Sequence, residues 1–125
     1  MSPRLVLFDI DGTLVSAGGI SARVFGEALL EAFGTTGDAD RFEFSGKTDP
    51  QIVRELMTGA GFNDAEIEER RPRALEDYRV RLAATIRPEH VVPKPGMGPL
   101  LEALDRQPGV TLALLTGNLE PTARL

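Results

Sequence analysis

The stretch "LVLFDIDGTL", residues 5–14, decides the fold of this chain, because an apolar run ends abruptly at two aspartates. The run places apolar side chains on both faces, which favours a strand buried inside a parallel sheet. Asp9 and Asp11 are two positions apart, and residues i and i+2 of an extended segment point to the same side. The simplest interpretation is a strand end followed by a turn, where Asp and Gly are common.

The same two aspartates also have a chemical interpretation, as a catalytic or metal-binding pair. Two carboxylates that converge on one spot repel each other, so a cation or a shared proton stabilises the pair. Such a pair suits a nucleophile beside a general acid, or a site for a hard metal ion. Gly12 lets the chain turn tightly after the second carboxylate, and Thr13 adds a hydroxyl group.

Composition excludes several classes of site and partner. The 125 residues carry a net charge of −5 with acids and bases interspersed, whereas a nucleic-acid surface needs a basic stripe. The chain has no cysteine, and His90 is its one histidine, which excludes disulfides, thiolate metal sites and histidine-cluster zinc sites. No apolar run approaches the roughly 18 residues of a membrane span. We therefore expect a cytoplasmic protein with no nucleic-acid or membrane partner.

The rest of the chain alternates between helical and strand patterns. Residues 109–118, "GVTLALLTGN", predict a second apolar strand that ends at Thr116, and the preceding residues 97–104 repeat apolar side chains on one helical face. Residues 20–34 predict an amphipathic helix closed by a glycine, and residues 63–86 a charged helix or helix pair bent at Pro72. No strand signal of quality lies between residues 16 and 88.

Four motifs, which follow one another along the chain in the order expected of the family, resemble the haloacid dehalogenase superfamily. "DIDGT" after an apolar strand is similar to the first signature of its phosphatases, and "LALLTGN" to the second. "FSGKTDPQIVREL" and "PKPGMGPLLEAL" resemble the cap loop and the return to the core in phosphoglycolate phosphatase-like and phosphoglucomutase-like members. The resemblance implies an α/β fold: a partial Rossmann-like core of parallel strands, residues 1–15 and 89–125, with an inserted all-helical cap, residues 16–88.

The resemblance also implies roles for single residues. Asp9 is the expected nucleophile, which forms an aspartyl-phosphate. Asp11 is the expected general acid to the leaving oxygen and then the base for the attacking water. Thr116, with the backbone N–H groups of Gly117 and Asn118, is expected to bind phosphate oxygens ahead of a helix start, a position suited to anions. Without the two aspartates, Thr116 would be taken for an ordinary β-branched strand residue.

The implied cofactor is Mg²⁺, held by the carboxylate of Asp9 and the backbone carbonyl of Asp11. The implied partner is a small phosphorylated metabolite. Asp11 favours phosphate esters over haloacids, because dehalogenase members resemble D-x-Y-G-T at this motif and a halide leaves without a proton. Lys47 in "GKTD" is a candidate for substrate contact from the cap, or alternatively a solvated loop lysine.

Two further signatures of the superfamily, a lysine and an acidic pair that completes the Mg²⁺ site, have no counterpart after Thr116. Both lysines precede it, and Glu120 is the one acid that follows it. We therefore expect the chain to correspond to the first part of a larger protein and to be impaired as a phosphatase on its own. The alternatives are a sugar phosphomutase of the same superfamily, and a noncatalytic fragment that folds only with a partner chain.

Overall fold

The computed structural model describes residues 2–125, which form an α/β structure with a parallel strand pair, as the sequence predicts. Its four strands are β1 Arg4–Phe8, β2 Val15–Ser16, β3 Val92–Pro93 and β4 Val110–Leu114. Its five α-helices are α1 Ile20–Phe33, α2 Asp49–Gly59, α3 Asp64–Thr85, α4 Met97–Asp105 and α5 Glu120–Ala123, and short 3-10 helices span Ala39–Arg41 and Pro88–His90.

These elements separate into two compact units. The strand unit contains residues 2–18 and Arg87–Thr116, and the helical unit contains Gly19–Ile86 and Gly117–Leu125. The helical unit thus includes the segment that follows β4, which the sequence interpretation assigned to the strand-containing core.

The strand unit is built on β1 and β4, which pair in parallel from Arg4 opposite Val110 to Phe8 opposite Leu114. The pairing continues by one bond, since the N–H of Leu115 donates to the carbonyl of Phe8 at 2.8 Å. Helix α4 connects β3 to β4 and packs against β4. Because both strands run in the same direction, the residues that follow them emerge at the same edge of the sheet.

The apolar faces of this sheet are only partly covered. Phe8 is buried, whereas the side chains of Leu5, Leu7 and Leu114 are 62%, 48% and 55% exposed. The sequence predicted strands buried on both faces, and for these residues that prediction is wrong for the chain as it stands. The helix α4, which packs on β4, buries none of its own residues completely.

The helical unit holds most of the buried apolar side chains. Helices α1 and α2 both pack against α3. Its most completely buried large side chains are Leu29, Met57, Ile67, Val24 and Val53. Helix α1 ends as predicted at Gly34, whose φ of 77° is left-handed and whose N–H donates to Leu30 at 2.8 Å.

Side chains fix where the other two long helices begin. Thr48 is the N-cap of α2 and accepts a hydrogen bond from the Gln51 N–H at 3.3 Å. Asn63 and Glu66 form a reciprocal capping box at the start of α3. Helix α3 then runs as one 22-residue element through Pro72, not as two helices.

The antiparallel pair of β2 and β3 was not predicted. Val15 lies opposite Pro93 and Ser16 opposite Val92, and the Lys94 N–H donates to the carbonyl of Leu14 at 2.8 Å. Two-residue strands are too short to show an alternating pattern, so the sequence gives no signal for them. Within residues 2–125, no helix has the length and apolar character needed to cross a membrane.

Candidate active site

Asp9 is the first residue after β1, and its carboxylate is exposed. Its Oδ1 accepts a hydrogen bond from the N–H of Ile10 at 2.8 Å. This bond fixes one carboxylate oxygen against the backbone at the carboxyl end of the strand. The abrupt change from buried Phe8 to exposed Asp9 is the change in polarity that the sequence pattern indicated.

A tight turn carries Asp11 next to it. The carbonyl of Ile10 accepts the N–H groups of Thr13 and Leu14 at 3.2 and 3.0 Å, and the Gly12 N–H donates to Val15 at 2.9 Å. Gly12 has a φ of 78°, a left-handed conformation that glycine adopts without strain. The turn therefore brings two exposed carboxylates, Asp9 and Asp11, to the end of one strand within three residues.

Thr116 is the last residue of the strand unit and lies two positions after β4. The parallel register and the bond from Leu115 to Phe8 put the exits of β1 and β4 side by side. The structure thus brings Asp9, Asp11 and Thr116 to one edge of the sheet. The order of the strands in the sequence alone would not have guaranteed this. Ligands of open α/β sheets bind at this carboxyl edge.

The donors at this edge have the chemistry of a hard-metal site but are few. Carboxylate and backbone carbonyl oxygens are the ligands that Mg²⁺ accepts, and Asp9 and Asp11 supply both kinds. Among residues 2–125 no group of three or more Asp, Glu, His or Cys side chains is placed so that it could hold a metal ion. The residues present therefore supply the kind of donor atom that Mg²⁺ binds. The number of donors is at the lower limit, because such sites use one or two carboxylates.

Gly117 and Asn118, the other predicted phosphate-binding residues, belong to the helical unit. The carbonyl of Gly117 accepts the Asp49 N–H at 3.0 Å, and a Cβ on Gly117 would lie 2.2 Å from the carbonyl oxygen of Lys47. Only glycine allows the two backbones to approach this closely. The helix that follows, α5, has four residues, so its dipole adds little to anion binding.

Lys47 is engaged inside the helical unit. Its Nζ lies 3.1 Å from Oε2 of Glu55 and 4.3 Å from the centroid of the Phe42 ring, and its side chain is 25% exposed. The motif "GKTD" pointed to Lys47 but to neither of its neighbours. Phe42 is five residues before it and Glu55 eight after it, spacings that carry no signal until the loop and α2 are folded together.

A model of the haloacid dehalogenase-like hydrolase family matches residues 6–125. The chain belongs to this family. The match begins inside β1 and runs to the end of the chain, so both candidate aspartates and Thr116 lie within it. A comparison with curated proteins found no significant match.

Two solved structures resemble the chain. One is a crystal structure from Clostridium difficile described as a candidate phosphatase, with 26% identity, a TM-score of 0.50, and coverage of 93% of this chain and 50% of the other. The second is a hydrolase from Pseudomonas syringae, with 22% identity, a TM-score of 0.57, and coverage of 98% and 53%. The chain thus spans about half the length of these two structures, and the second likeness shows the fold alone.

Proposed function

We propose that this chain carries the nucleophile-bearing part of a Mg²⁺-dependent phosphatase that hydrolyses a small phosphate monoester through an aspartyl-phosphate. The observation that carries the proposal is the pair of exposed carboxylates, Asp9 and Asp11, at the carboxyl end of β1 beside the exit of β4. Membership of a hydrolase family and the likeness to a candidate phosphatase support it. The cytoplasmic location and the small phosphorylated metabolite as partner stay predictions.

In the first half of the proposed reaction, a carboxylate oxygen of Asp9 forms a bond to phosphorus while the bond from phosphorus to the ester oxygen breaks. Asp11 donates its proton to that leaving oxygen, so an alcohol departs rather than an alkoxide. Covalent catalysis of this kind divides one difficult displacement into two easier ones.

In the second half, Asp11, now ionised, accepts a proton from water as the water oxygen attacks phosphorus. The bond from phosphorus to the Asp9 oxygen breaks, inorganic phosphate leaves, and both aspartates return to their starting states. Thr116 would donate its hydroxyl to a phosphate oxygen, with the N–H groups of Gly117 and Asn118. Mg²⁺, held by Asp9 and the Asp11 carbonyl, would offset the repulsion between the carboxylates and the phosphate dianion.

Asp9→Asn tests the proposal directly, because an amide is not a competent nucleophile at phosphorus. The chain and any longer form of the protein are incubated with a ³²P-labelled aryl phosphate and Mg²⁺, quenched in acid and analysed for protein-bound label. We expect acid-stable, hydroxylamine-labile label in the unaltered longer form, less in the unaltered chain, and none in either Asp9→Asn variant. Label of equal intensity in an unaltered protein and its Asp9→Asn variant would contradict the assignment of the nucleophile.

There are two alternative functions. A sugar phosphomutase would use the same residues, and a noncatalytic fragment would use none of them. A sugar phosphomutase would return the phosphoryl group to a sugar, so production of an isomeric sugar phosphate from a sugar 1-phosphate, rather than inorganic phosphate, would favour it. The exposed leucines on β1 and β4 favour a fragment that folds with a partner chain. Sedimentation velocity of the chain, together with circular dichroism, separates that role from a monomeric enzyme.

A further inference from the structure

The ammonium group of Lys47 has two neighbours of different chemistry. The Glu55 carboxylate lies 3.1 Å away, and the face of the Phe42 ring has its centroid 4.3 Å away. The Lys47 and Glu55 side chains are 25% and 41% exposed, so water and dissolved anions reach the pair. The Phe42 ring is itself held by an edge-on contact with Phe44 at 5.2 Å between centroids.

The backbone of Lys47 is fixed as firmly as its side chain. It precedes Thr48, the N-cap of α2, and its carbonyl lies against Gly117. Glu55 projects from α2 itself, so the lysine and its carboxylate partner are carried by one helix start and the turns that follow it. Lys47 itself lies in the loop, one residue before the N-cap, so the distance between the two side chains depends on how that loop enters α2.

The two contacts respond differently to an incoming anion. A partly exposed ion pair is weak, so a second anion can exchange with the carboxylate at a cost of about two- to fivefold in affinity. A ring face attracts a cation through its quadrupole and repels anions, so an incoming anion does not displace the Phe42 ring from the ammonium group. The ring thus holds the ammonium group in place whichever anion it faces.

We propose that Glu55 determines the anion selectivity of Lys47 by occupying its ammonium group until a phosphate group displaces the carboxylate, while Phe42 retains the ammonium group during the exchange. This inference rests on the proposed function for the class of ligand, a phosphate ester. A neutral group gains less than an anion from an ammonium ion, so it displaces the carboxylate less readily. Glu55 would therefore disfavour ligands that place no negative charge at this position.

Another acid in the same loop is committed elsewhere. Oε1 of Glu43 accepts the Ser45 N–H at 3.0 Å. That bond, with a contribution from the charge of Lys47, lowers the pKa of Glu43 below its usual value, so Glu43 remains ionised near neutral pH. Its carboxylate is exposed and anchored to Ser45, which leaves Glu55 as the close partner of the ammonium group.

The chain has two lysines, Lys47 and Lys94, which makes the test simple. The chain is labelled with ¹³C-lysine and titrated with inorganic phosphate at constant ionic strength while the two Cε signals are followed by NMR. Lys94 reports nonspecific effects. The variants are Glu55→Gln, Glu55→Asp, Phe42→Leu and the control Glu69→Gln, which changes the net charge by the same amount on the exposed surface of α3.

We expect saturable movement of the Lys47 signal, with phosphate binding about two- to fivefold tighter in Glu55→Gln, weaker in Phe42→Leu, and unchanged in Glu55→Asp and Glu69→Gln. Opposite signs for the first two variants are the decisive result, because a purely structural role would weaken binding in both. No saturable response of Lys47, or weaker binding in Glu55→Gln, would overturn the inference. The titration needs no turnover, so it can fail while Asp9 is still phosphorylated, or succeed where phosphorylation fails.

Discussion

The carbonyl oxygen of Gly117 accepts a hydrogen bond from the backbone N–H of Asp49 at 3.0 Å. This bond joins the residue after Thr116 to the first residue of α2, inside the helical unit. The same approach leaves no room for a side chain on Gly117, since a Cβ would lie 2.2 Å from the carbonyl oxygen of Lys47. One contact thus links two predicted site segments that are about 70 residues apart in the sequence.

Gly117→Ala should lower the free energy of unfolding by about 1–3 kcal/mol, because the new methyl group meets backbone atoms that cannot swing aside. Gly59→Ala is the matched control, since a Cβ at the end of α2 meets nothing within 4 Å. That change should be neutral or stabilise by up to about 1 kcal/mol. Urea denaturation of both variants measures the difference, and equal stability would mean that the Gly117 contact is loose in solution.

The sequence predicted the elements that depend on local pattern. The apolar run before Asp9, the amphipathic period of α1 and the glycine that ends it are each determined by a few neighbouring residues. The resemblance of "DIDGT" to a phosphatase signature pointed to Asp9 and Asp11, and their exposure at a strand end agrees with the turn chemistry of Gly12. The roles assigned to these residues stay predictions.

The contacts that the sequence did not predict depend on residues far apart in the chain. Nothing in the spacing of Phe42, Lys47 and Glu55 indicates that they meet, because the loop between them has no period. The β2–β3 pair joins segments about 76 residues apart and is only two residues long. Pro72 was expected to bend its helix or divide it into two, and the division is wrong, because α3 is one continuous helix with buried side chains on either side of the proline at Ile67 and Ala74.

Leu29→Ala should destabilise the helical unit by about 2–5 kcal/mol, the usual range for a buried leucine, because its side chain is 1% exposed. Leu30→Ala, one residue further along α1, should change the free energy by less than about 0.5 kcal/mol, since Leu30 is 53% exposed. Thermal unfolding followed by circular dichroism compares them. Similar losses in both variants would show that α1 does not present this face to α3.

In a longer form of the protein that turns over, Asp11→Asn should slow hydrolysis of an alkyl phosphate by roughly 10²–10⁴, the usual contribution of general acid–base catalysis. An activated aryl phosphate, whose leaving group needs no proton, should lose less in the first step. Single-turnover rates of Asp9 phosphorylation with the two esters provide the comparison. Equal losses for both esters would assign Asp11 a structural role in the turn rather than a role in proton transfer.

The residues present at the carboxyl edge should bind Mg²⁺ weakly, in the millimolar range or above. Mg²⁺ requires near-octahedral oxygen coordination and usually keeps several waters beside one or two carboxylates and substrate oxygens. Residues 2–125 assemble no group of three metal-ligating side chains, so the Asp9 carboxylate and the Asp11 carbonyl are the donors to expect. Each tenfold loss of affinity corresponds to about 1.4 kcal/mol.

Titration calorimetry with Mg²⁺, with Asp9→Asn as the control, measures the affinity, and a phosphate-release assay on the same sample should show little or no turnover. Micromolar affinity that Asp9→Asn abolishes, with steady phosphate release, would mean that a second chain completes the site.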